Sequence, residues 1–310
     1  MSVVHTLMPI GRPEAAPKPA VAITIDGQAL SVPQGTTIMA ACATIGITIP
    51  TLCYLETLRA VSVCRLCVVE VQGARVLAPA CSREVEAGMV VFSRSPRVVH
   101  ARKLVLELLA SSVDLSTAPG LAELLAEYGC QPDRYGPLAA TVAQPIKIDN
   151  DLYVRDYGKC VLCYKCVEAC GSDHQNTFAI AVAGRGFGAG ISTEFAVGLP
   201  DSACVYCGNC IAGCPTGALM AKAEYDLREA NQWDEAKQTQ TDTICPYCGV
   251  GCTLTLHVQE GEIVKATSPL NNTITAGNLC IKGRFGWKFV QPKAKAGSED
   301  PALHSKHQDG

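Results

Sequence analysis

The sequence predicts an α+β protein composed of several small modules, and three observations lead to this prediction. Strand-like and helix-like segments alternate over residues 21–98. Two apolar segments with helical spacing follow within residues 97–128. A cysteine pattern then occurs twice between residues 146 and 222. A chain of 310 residues has room for two or three domains, which agrees with a modular organisation.

Residues 21–98 predict a small sheet crossed by one helix. Asp26-Gly27 lies between two alternating apolar segments, an arrangement typical of a tight β-hairpin. The helix is expected over Thr36–Ile45, with Gly35 or Thr36 as its cap. The expected strands are Val21–Ile25, Ala29–Val32, Val68–Val71 and Met89–Phe92.

The rest of the chain divides into further segments. Residues 99–145 are expected to form a helical connector, with helices over 97–112 and over Leu121–Tyr128. A β-hairpin is expected over Phe178–Val197, between the two cysteine runs. The other divisions are flexible tails at 1–20 and 291–310, modules at 146–227 and 242–290, and a polar linker at 228–241.

Composition excludes some function classes and narrows the chemistry of the cysteines. With 26 basic and 29 acidic residues the formal net charge is -3, which argues against nucleic acid or an anionic membrane as the main partner. The low charged content of 18% hints that other subunits cover part of the surface. No secretion signal or membrane-spanning stretch is recognisable, so we expect a cytoplasmic protein. Because thiols stay reduced in the cytoplasm, we interpret regularly spaced cysteines among the 18 as metal ligands rather than as disulfide partners.

The first group of four cysteines lies in the predicted sheet domain, with gaps of ten, two and thirteen residues. The plant-type [2Fe–2S] pattern has a shorter first gap. The longer gap still suits two thiolates from a loop and two from a Cys-x2-Cys turn, so we predict a [2Fe–2S] cluster. The alternative is structural zinc, which usually pairs two Cys-x2-Cys turns. The predicted ligands are Cys53, Cys64, Cys67 and Cys81.

The internal repeat is a cysteine run with gaps of two, two and three residues. One such run places three thiolates on an iron cube, and in two-cluster ferredoxins the fourth ligand comes from the other run. We therefore predict two [4Fe–4S] clusters with exchanged fourth ligands. The first is assigned to Cys160, Cys163, Cys166 and Cys214, and the second to Cys204, Cys207, Cys210 and Cys170.

A third [4Fe–4S] cluster is predicted on the last group of cysteines. Gly249 and Gly251 are expected to let backbone N–H groups approach the sulfurs. A zinc ribbon is the alternative, but the second Cys-x2-Cys turn that it requires is missing. Of the two remaining cysteines, Cys42 is interpreted as a core residue and Cys130 stays unassigned. The predicted ligands are Cys245, Cys248, Cys252 and Cys280.

The last group carries a resemblance to a known family. Cys245-Pro-Tyr-Cys-Gly-Val-Gly-Cys252, followed by Gly277-Asn-Leu-Cys-Ile-Lys-Gly-Arg284, resembles the N-terminal cluster domain of molybdopterin oxidoreductases, in particular the formate dehydrogenase α subunit. A β-grasp [2Fe–2S] ferredoxin domain, a two-[4Fe–4S] bacterial-ferredoxin-like domain and this small [4Fe–4S] domain occur in the same order in NAD-dependent, cytoplasmic formate dehydrogenases. The resemblance covers about residues 21–290.

The resemblance implies an electron-transfer role within a larger complex. It places Lys282 between the last cluster and a pterin, where the side chain would help electrons to pass. It also implies two partners: a subunit with a Mo/W-bis-molybdopterin guanine dinucleotide site, where formate is oxidised or CO2 reduced, and an iron–sulfur subunit that binds FMN and NAD. The family's catalytic Cys or selenocysteine has no counterpart in this sequence, so we expect a split complex with a natural terminus at Gly310.

One departure concerns a further cluster. Related large subunits of respiratory complex I usually hold it with one histidine and three cysteines after the first domain. Here the corresponding stretch, Ser111–Pro119, contains no cysteine, and His100 lies too early to replace the ligand. We expect that cluster to be absent.

Three alternatives stay open on the sequence alone. The chain could be a diaphorase-type electron-transfer subunit of an NAD-linked hydrogenase, although such subunits should lack the Cys245–Cys252 segment. It could also be a free soluble iron–sulfur carrier, or an assembly or regulatory module. The third alternative is a fragment of a longer α subunit.

Overall fold

The computed structural model describes residues 18–136 and 144–291. These residues form two compact units, one comprising 18–136 and 159–164 and the other 144–158 and 165–291. The tails predicted at 1–20 and 291–310 lie almost wholly outside the described residues, as does part of the predicted connector. Within the two described ranges, every helix falls short of the length and hydrophobicity that a bilayer crossing requires.

The first unit contains a mixed five-stranded sheet. Its strands are β1 Ala20–Ile25, β2 Gln28–Pro33, β3 Val68–Val71, β4 Ala78–Pro79 and β5 Val90–Phe92. The strand order is β2-β1-β5-β3-β4, with β1 parallel to β5 and the other neighbours antiparallel. The predicted hairpin is present as the antiparallel pair β1 and β2. Its turn residues Asp26 (φ 49°) and Gly27 (φ 83°) both adopt the left-handed conformation that such a turn requires.

Helix α1 (Ile38–Thr44) packs its apolar face on this sheet. The helix begins two residues later than predicted, because the Thr37 side chain accepts the N–H of Ala40 at 3.2 Å; the cap is therefore Thr37 and not Gly35 or Thr36. Cys42 is fully buried in this core, as predicted. Burial raises the pKa of its thiol to about 11, so Cys42 stays a neutral apolar side chain.

Helices α2 (Pro96–Ser112) and α3 (Leu121–Glu127) form a second core with Leu52 and Leu66. The buried face of α2 is not purely apolar, since Leu108 is 46% exposed while Arg102 and Glu107 are buried. Glu107 accepts the Gln131 N–H at 3.0 Å and an Arg134 N–H at 2.7 Å. Burial alone would raise the pKa of Glu107, but these donors outweigh it, so the pKa lies below its usual value.

The second unit consists of short elements in three small sheets. The strands are β6 Tyr153–Arg155, β7 Ala181–Ala183, β8 Gly190–Ser192, β9 Leu219–Ala221, β10 Thr239–Ile244, β11 Thr253–Gln259 and β12 Glu262–Thr267. The helices are α4 Lys165–Cys170, α5 Asn209–Gly213, α6 Lys222–Glu229 and α7 Ile281–Phe285. Strands pair antiparallel as β6-β9, β7-β8 and β10-β11-β12.

Two sequence predictions can be compared with these elements. The β-hairpin predicted over Phe178–Val197 is present as the β7-β8 pair. The linker predicted at 228–241 is instead structured: it contains the end of α6, a short 3-10 helix at Glu235–Lys237 and the start of β10. All six residues of β10 are exposed; backbone pairing with β11 therefore holds the strand in place without a buried face.

Arg102 provides a stability test of the first unit. Its side chain is 1% exposed and donates to the Tyr128 hydroxyl at 2.8 Å and to the Val68 carbonyl at 2.9 Å. Arg102→Met leaves both oxygens without this donor, so we expect a loss of about 2–4 kcal/mol in the free energy of unfolding. Anaerobic urea denaturation of the full chain measures it. Arg97→Met on the exposed side of α2 is the control, expected within about 0.5 kcal/mol of wild type; equal effects of the two substitutions would contradict the assignment.

Candidate metal centres

The four thiols of the first predicted set converge in the first unit. Cys64 hydrogen-bonds Cys53, and Cys81 hydrogen-bonds both Cys53 and Cys67. The hydrogen bond to Cys53 and burial raise the pKa of Cys64 well above its usual value. Thiols at such short range become thiolates together only when a cation offsets their mutual repulsion, as metal coordination does.

The loop that carries Cys64 and Cys67 has a specific backbone shape. Arg65 adopts φ 58° between the two cysteines, a left-handed conformation that turns the chain sharply. The Ser62 hydroxyl lies 3.5 Å from the Cys81 sulfur. Arg102 also reaches this loop, because its Val68 acceptor follows Cys67 directly. Helix α2 is thereby fixed to the cysteine loop.

The two cysteine runs of the repeat share one local backbone geometry. The second and fourth residues after the first cysteine have positive φ in both runs: Leu162 (50°) and Tyr164 (64°) in one, Tyr206 (55°) and Gly208 (75°) in the other. In each run, the N–H two residues after the first cysteine donates to its sulfur at 3.4 Å. An N–H donor to sulfur stabilises the thiolate form, as expected of a metal ligand.

Cys170 from the first run lies with three cysteines of the second run. Cys170 is the last residue of α4, and the second run leads into α5, which packs on α4. An apolar hollow in the second unit is lined by Cys170, Cys204, Cys207 and Cys210. The Ala179 N–H donates to the Cys170 sulfur at 3.2 Å. Burial, followed by the charges of neighbouring cysteines including Cys207 and Cys170, raises the pKa of Cys210 strongly.

The grouping around the hollow is the one expected from exchanged fourth ligands. The complementary assignment to Cys160, Cys163, Cys166 and Cys214 stays a prediction. Cys163 and Cys166 are buried, and the Cys214 sulfur lies 4.0 Å from the Thr216 hydroxyl.

The last set also forms a group. Burial raises the pKa of Cys252, and the charges of Cys245, Cys248 and Cys280 raise it further. The Cys245 N–H donates to the Cys252 carbonyl at 2.8 Å, which closes the loop between them. The expectation for Gly251 is not met, since its N–H donates to the Cys248 carbonyl at 3.4 Å and not to a sulfur.

Two cysteines of the last set are exposed, and apolar side chains surround them. Cys248 and Cys280 face solvent, while Cys245 is buried. The surrounding exposed residues are Tyr247, Val250, Ile281 and Phe289, which we call the apolar collar. Tyr247 links the cysteine loop of the collar to its C-terminal residues. Its ring lies 6.1 Å from that of Phe289, and its hydroxyl donates to the Gly286 carbonyl. Lys282 is exposed on α7 at the same end.

The structure adds functional candidates that the cysteine pattern does not reveal. Arg155 lines the hollow, and Arg284 contacts the Cys207–Asn209 segment. Both are almost fully buried. Buried arginines have no local sequence signature; the only hint is the position of Arg155 in an otherwise apolar strand. Cys130, unassigned from sequence, donates to the Lys103 carbonyl at 3.9 Å.

The donor chemistry fits iron–sulfur clusters. Thiols of three predicted groups lie close together, sulfurs accept backbone N–H groups, and neighbouring cysteines raise the thiol pKa values, a repulsion that bound iron would offset. Among the described residues, no three His, Cys, Asp or Glu side chains have the tight arrangement of a single-ion site.

Three stretches of the chain match known domain families. Residues 18–96 match the 2Fe-2S iron-sulfur cluster binding domain. Residues 159–218 match the 4Fe-4S dicluster domain. Residues 238–292 match the molybdopterin oxidoreductase Fe4S4 domain. The chain therefore contains iron–sulfur domains of three kinds, in the order that the cysteine groups predicted.

The chain is also similar to longer proteins. It is 35% identical to the α subunit of the NADPH-Fe(3+) oxidoreductase of Geobacter sulfurreducens, over 87% of this chain and 31% of that protein. It is 41% identical to the NADP-reducing hydrogenase subunit HndD of Solidesulfovibrio fructosivorans, over 64% of this chain and 35% of that protein. The chain thus spans about a third of the length of these relatives.

The chain is also similar to a solved structure. A chain from the crystal structure of an NAD+-reducing [NiFe]-hydrogenase in the H2-reduced state superposes with a TM-score of 0.55 at 26% identity. The match covers 66% of this chain and 88% of that chain.

The exchange of fourth ligands can be tested by substitution. Cys170→Ala should remove the same [4Fe–4S] signal as Cys207→Ala, since both would be ligands of one cluster, while Cys214→Ala should remove the signal lost in Cys163→Ala. Electron paramagnetic resonance of the reduced full chain, with iron analysis, measures this. Wild type should hold about 14 iron atoms per chain, and the Cys42→Ala and Cys130→Ala controls should retain them. If Cys170→Ala matched Cys163→Ala instead, ligation within each run would replace exchange.

Proposed function

We propose that this chain is an iron–sulfur electron-transfer subunit of an NAD(P)-linked oxidoreductase complex. The observation that carries the proposal is the convergence of separate groups of four thiols, including the group that joins Cys170 to the second run. Bound there, iron–sulfur clusters would accept and release single electrons. The protein's own residues hold the thiols at fixed positions, donate N–H groups to sulfur and exclude water from the buried sets.

In the finer proposal, the complex is a formate dehydrogenase. The support is the motif around Cys245–Cys280 and the match of residues 238–292 to a molybdopterin oxidoreductase domain. The exposed Cys248 and Cys280 and the apolar collar add a structural argument. Exposed apolar groups around a redox site favour coverage by another protein surface. We propose a Mo/W-molybdopterin module as that cover, with Lys282 promoting electron passage towards it, and an FMN- and NAD-binding subunit as the second partner.

A second candidate is an electron-transfer subunit of an NAD(P)-linked hydrogenase. It is favoured by the 41% identity to a hydrogenase subunit and by the superposition on a hydrogenase chain. The match of residues 238–292 to the molybdopterin oxidoreductase domain favours formate dehydrogenase instead.

The native complex distinguishes the two candidates. Purified under anaerobic conditions, a formate dehydrogenase should reduce methyl viologen with formate and contain Mo or W, pterin and FMN. A hydrogenase should reduce the dye with H2 and contain no Mo or W. H2-driven reduction without Mo or W would overturn the formate proposal, and iron far below about 14 atoms per chain would overturn both.

The apolar collar generates a test of its own. Phe289→Asp places a charge on this surface, and we expect at least tenfold less molybdopterin subunit to co-purify with the chain, because a buried unpaired charge is costly at an interface. Val76→Asp is the control, since Val76 is exposed to the same extent on the first unit. Both variants should keep wild-type iron content. Unchanged co-purification of Phe289→Asp would show that the collar is not the docking surface.

A further inference from the structure

Two arginines are buried beside one of the four proposed clusters. The hollow lined by Cys170, Cys204, Cys207 and Cys210 is also lined by Arg155. Arg155 is 2% exposed and Arg284 is 5% exposed. Arginine side chains keep their positive charge in proteins, so two cations lie in a region where water cannot screen them.

Arg155 is only partly satisfied by the protein. One Nη2–H donates to Asp149, whose carboxylate also accepts the Leu199 N–H at 2.9 Å and an Asn150 N–H at 2.8 Å. The Nε and Nη1 atoms of Arg155 are buried and make no hydrogen bond that meets ordinary distance and angle limits, although the buried Tyr157 hydroxyl lies close to this side chain. Unpartnered buried donors are costly, and here they belong to a side chain that lines the hollow. An anionic group inside the hollow would provide the missing acceptors.

Arg284 approaches the same cysteines from the C-terminal module. Its guanidinium donates to three neutral oxygens: the Cys207 carbonyl at 3.4 Å, the Ala266 carbonyl at 3.4 Å and Asn209 Oδ1 at 3.2 Å. None of these acceptors carries a charge that would neutralise the arginine. Burial lowers the pKa of Arg284, and the nearby Tyr153, Cys207 and Cys210 act against that shift.

Gly208 allows this close approach. It lies between Cys207 and Asn209 with φ 75°, and a Cβ atom there would lie 2.9 Å from Arg284 Cγ. The same module also reaches Asn209 through the backbone, since the Leu279 N–H donates to Asn209 Oδ1 at 3.1 Å. Arg284 and Leu279 therefore attach the Cys280 segment to the Cys204–Cys210 loop, within one unit of the fold.

We propose that Arg155 and Arg284 raise the reduction potential of the cluster bound by Cys170, Cys204, Cys207 and Cys210, with Arg155 as a hydrogen-bond donor to it. The proposal rests on the electron-transfer function above. Reduction adds one negative charge to the cluster, and a nearby buried cation stabilises that charge more than water-screened groups do. Net charge and hydrogen bonds to sulfur are two of the factors that set such potentials. Asp149 opposes Arg155, because it carries the one carboxylate that pairs with this arginine among the described residues.

The test is a potentiometric titration of the purified holo complex, followed by electron paramagnetic resonance. The relevant signal is the one that Cys170→Ala removes. Arg284→Gln should shift its redox equilibrium constant about tenfold towards the oxidised form, which is about 59 mV for one electron. Arg155→Gln should shift it in the same direction. Arg284→Lys keeps the charge and should stay near the wild-type potential.

Asp149→Asn is the decisive matched variant. It removes the negative countercharge while an amide oxygen can still accept from Arg155, so the potential should rise where the arginine variants lower it. A merely structural role would not give opposite signs.

Each outcome decides one point. Unchanged potentials in Arg284→Gln and Asp149→Asn, with wild-type iron content, would overturn the inference. If the glutamine variants lose iron, Asp149→Asn decides the matter, and a potential that is unchanged or lower in that variant would overturn it. A wild-type protein without iron would refute the proposed function itself, which this measurement detects separately.

Discussion

The mutual repulsion of grouped thiolates is the constraint on which the rest of this structure depends. A cysteine ligates iron as a thiolate, yet burial and neighbouring thiolates both raise the thiol pKa, as they do for Cys210 and Cys252. The protein offsets this cost with local donors. Residues with positive φ turn backbone N–H groups towards sulfur in both cysteine runs, and buried arginines add positive charge beside the Cys170 group. Loops that allow such backbone angles carry most of the predicted ligands, while Cys166, Cys170 and Cys210 lie in the short helices α4 and α5.

This constraint also explains how the small elements are held together. The second unit has few strands longer than three residues around the repeat, so side-chain contacts have to replace extensive sheet pairing. Arg284 and Leu279 both bind Asn209, and Asp149 binds Arg155 and Leu199. In the first unit, Arg102 joins the cysteine loop to α2 and α3 in the same manner. Buried polar side chains thus fix loops whose cysteines must stay at defined positions.

The features that were predictable from sequence are those with a periodic or spacing signal. The Asp26-Gly27 hairpin and the extent of α2 follow from local rules, and the spacing of the cysteine runs led to the grouping of Cys170 with the second run. Strand β10 was missed because both of its faces are exposed, so its sequence has no apolar alternation. Arg155 and Arg284 were missed because their burial depends on contacts distant in sequence. The N-terminal cap of α1 was displaced by one residue, since adjacent threonines, Thr36 and Thr37, can both cap a helix.

The distribution of exposure among the cysteine groups has a consequence for assembly. In the first set, Cys53, Cys67 and Cys81 are buried, whereas Cys248 and Cys280 of the last set face solvent. Solvent exposure is one of the determinants of cluster potential, and water stabilises the more negative, reduced state. A protein surface that covers the apolar collar would remove this water and leave Lys282, at the same end, as a nearby positive charge. Docking and redox tuning would then be properties of the same few residues.

The last set would reach its working potential only when such a surface covers it. The Cys170 group differs, because its own unit encloses it and its own arginines flank it, so the determinants of its potential lie within this chain.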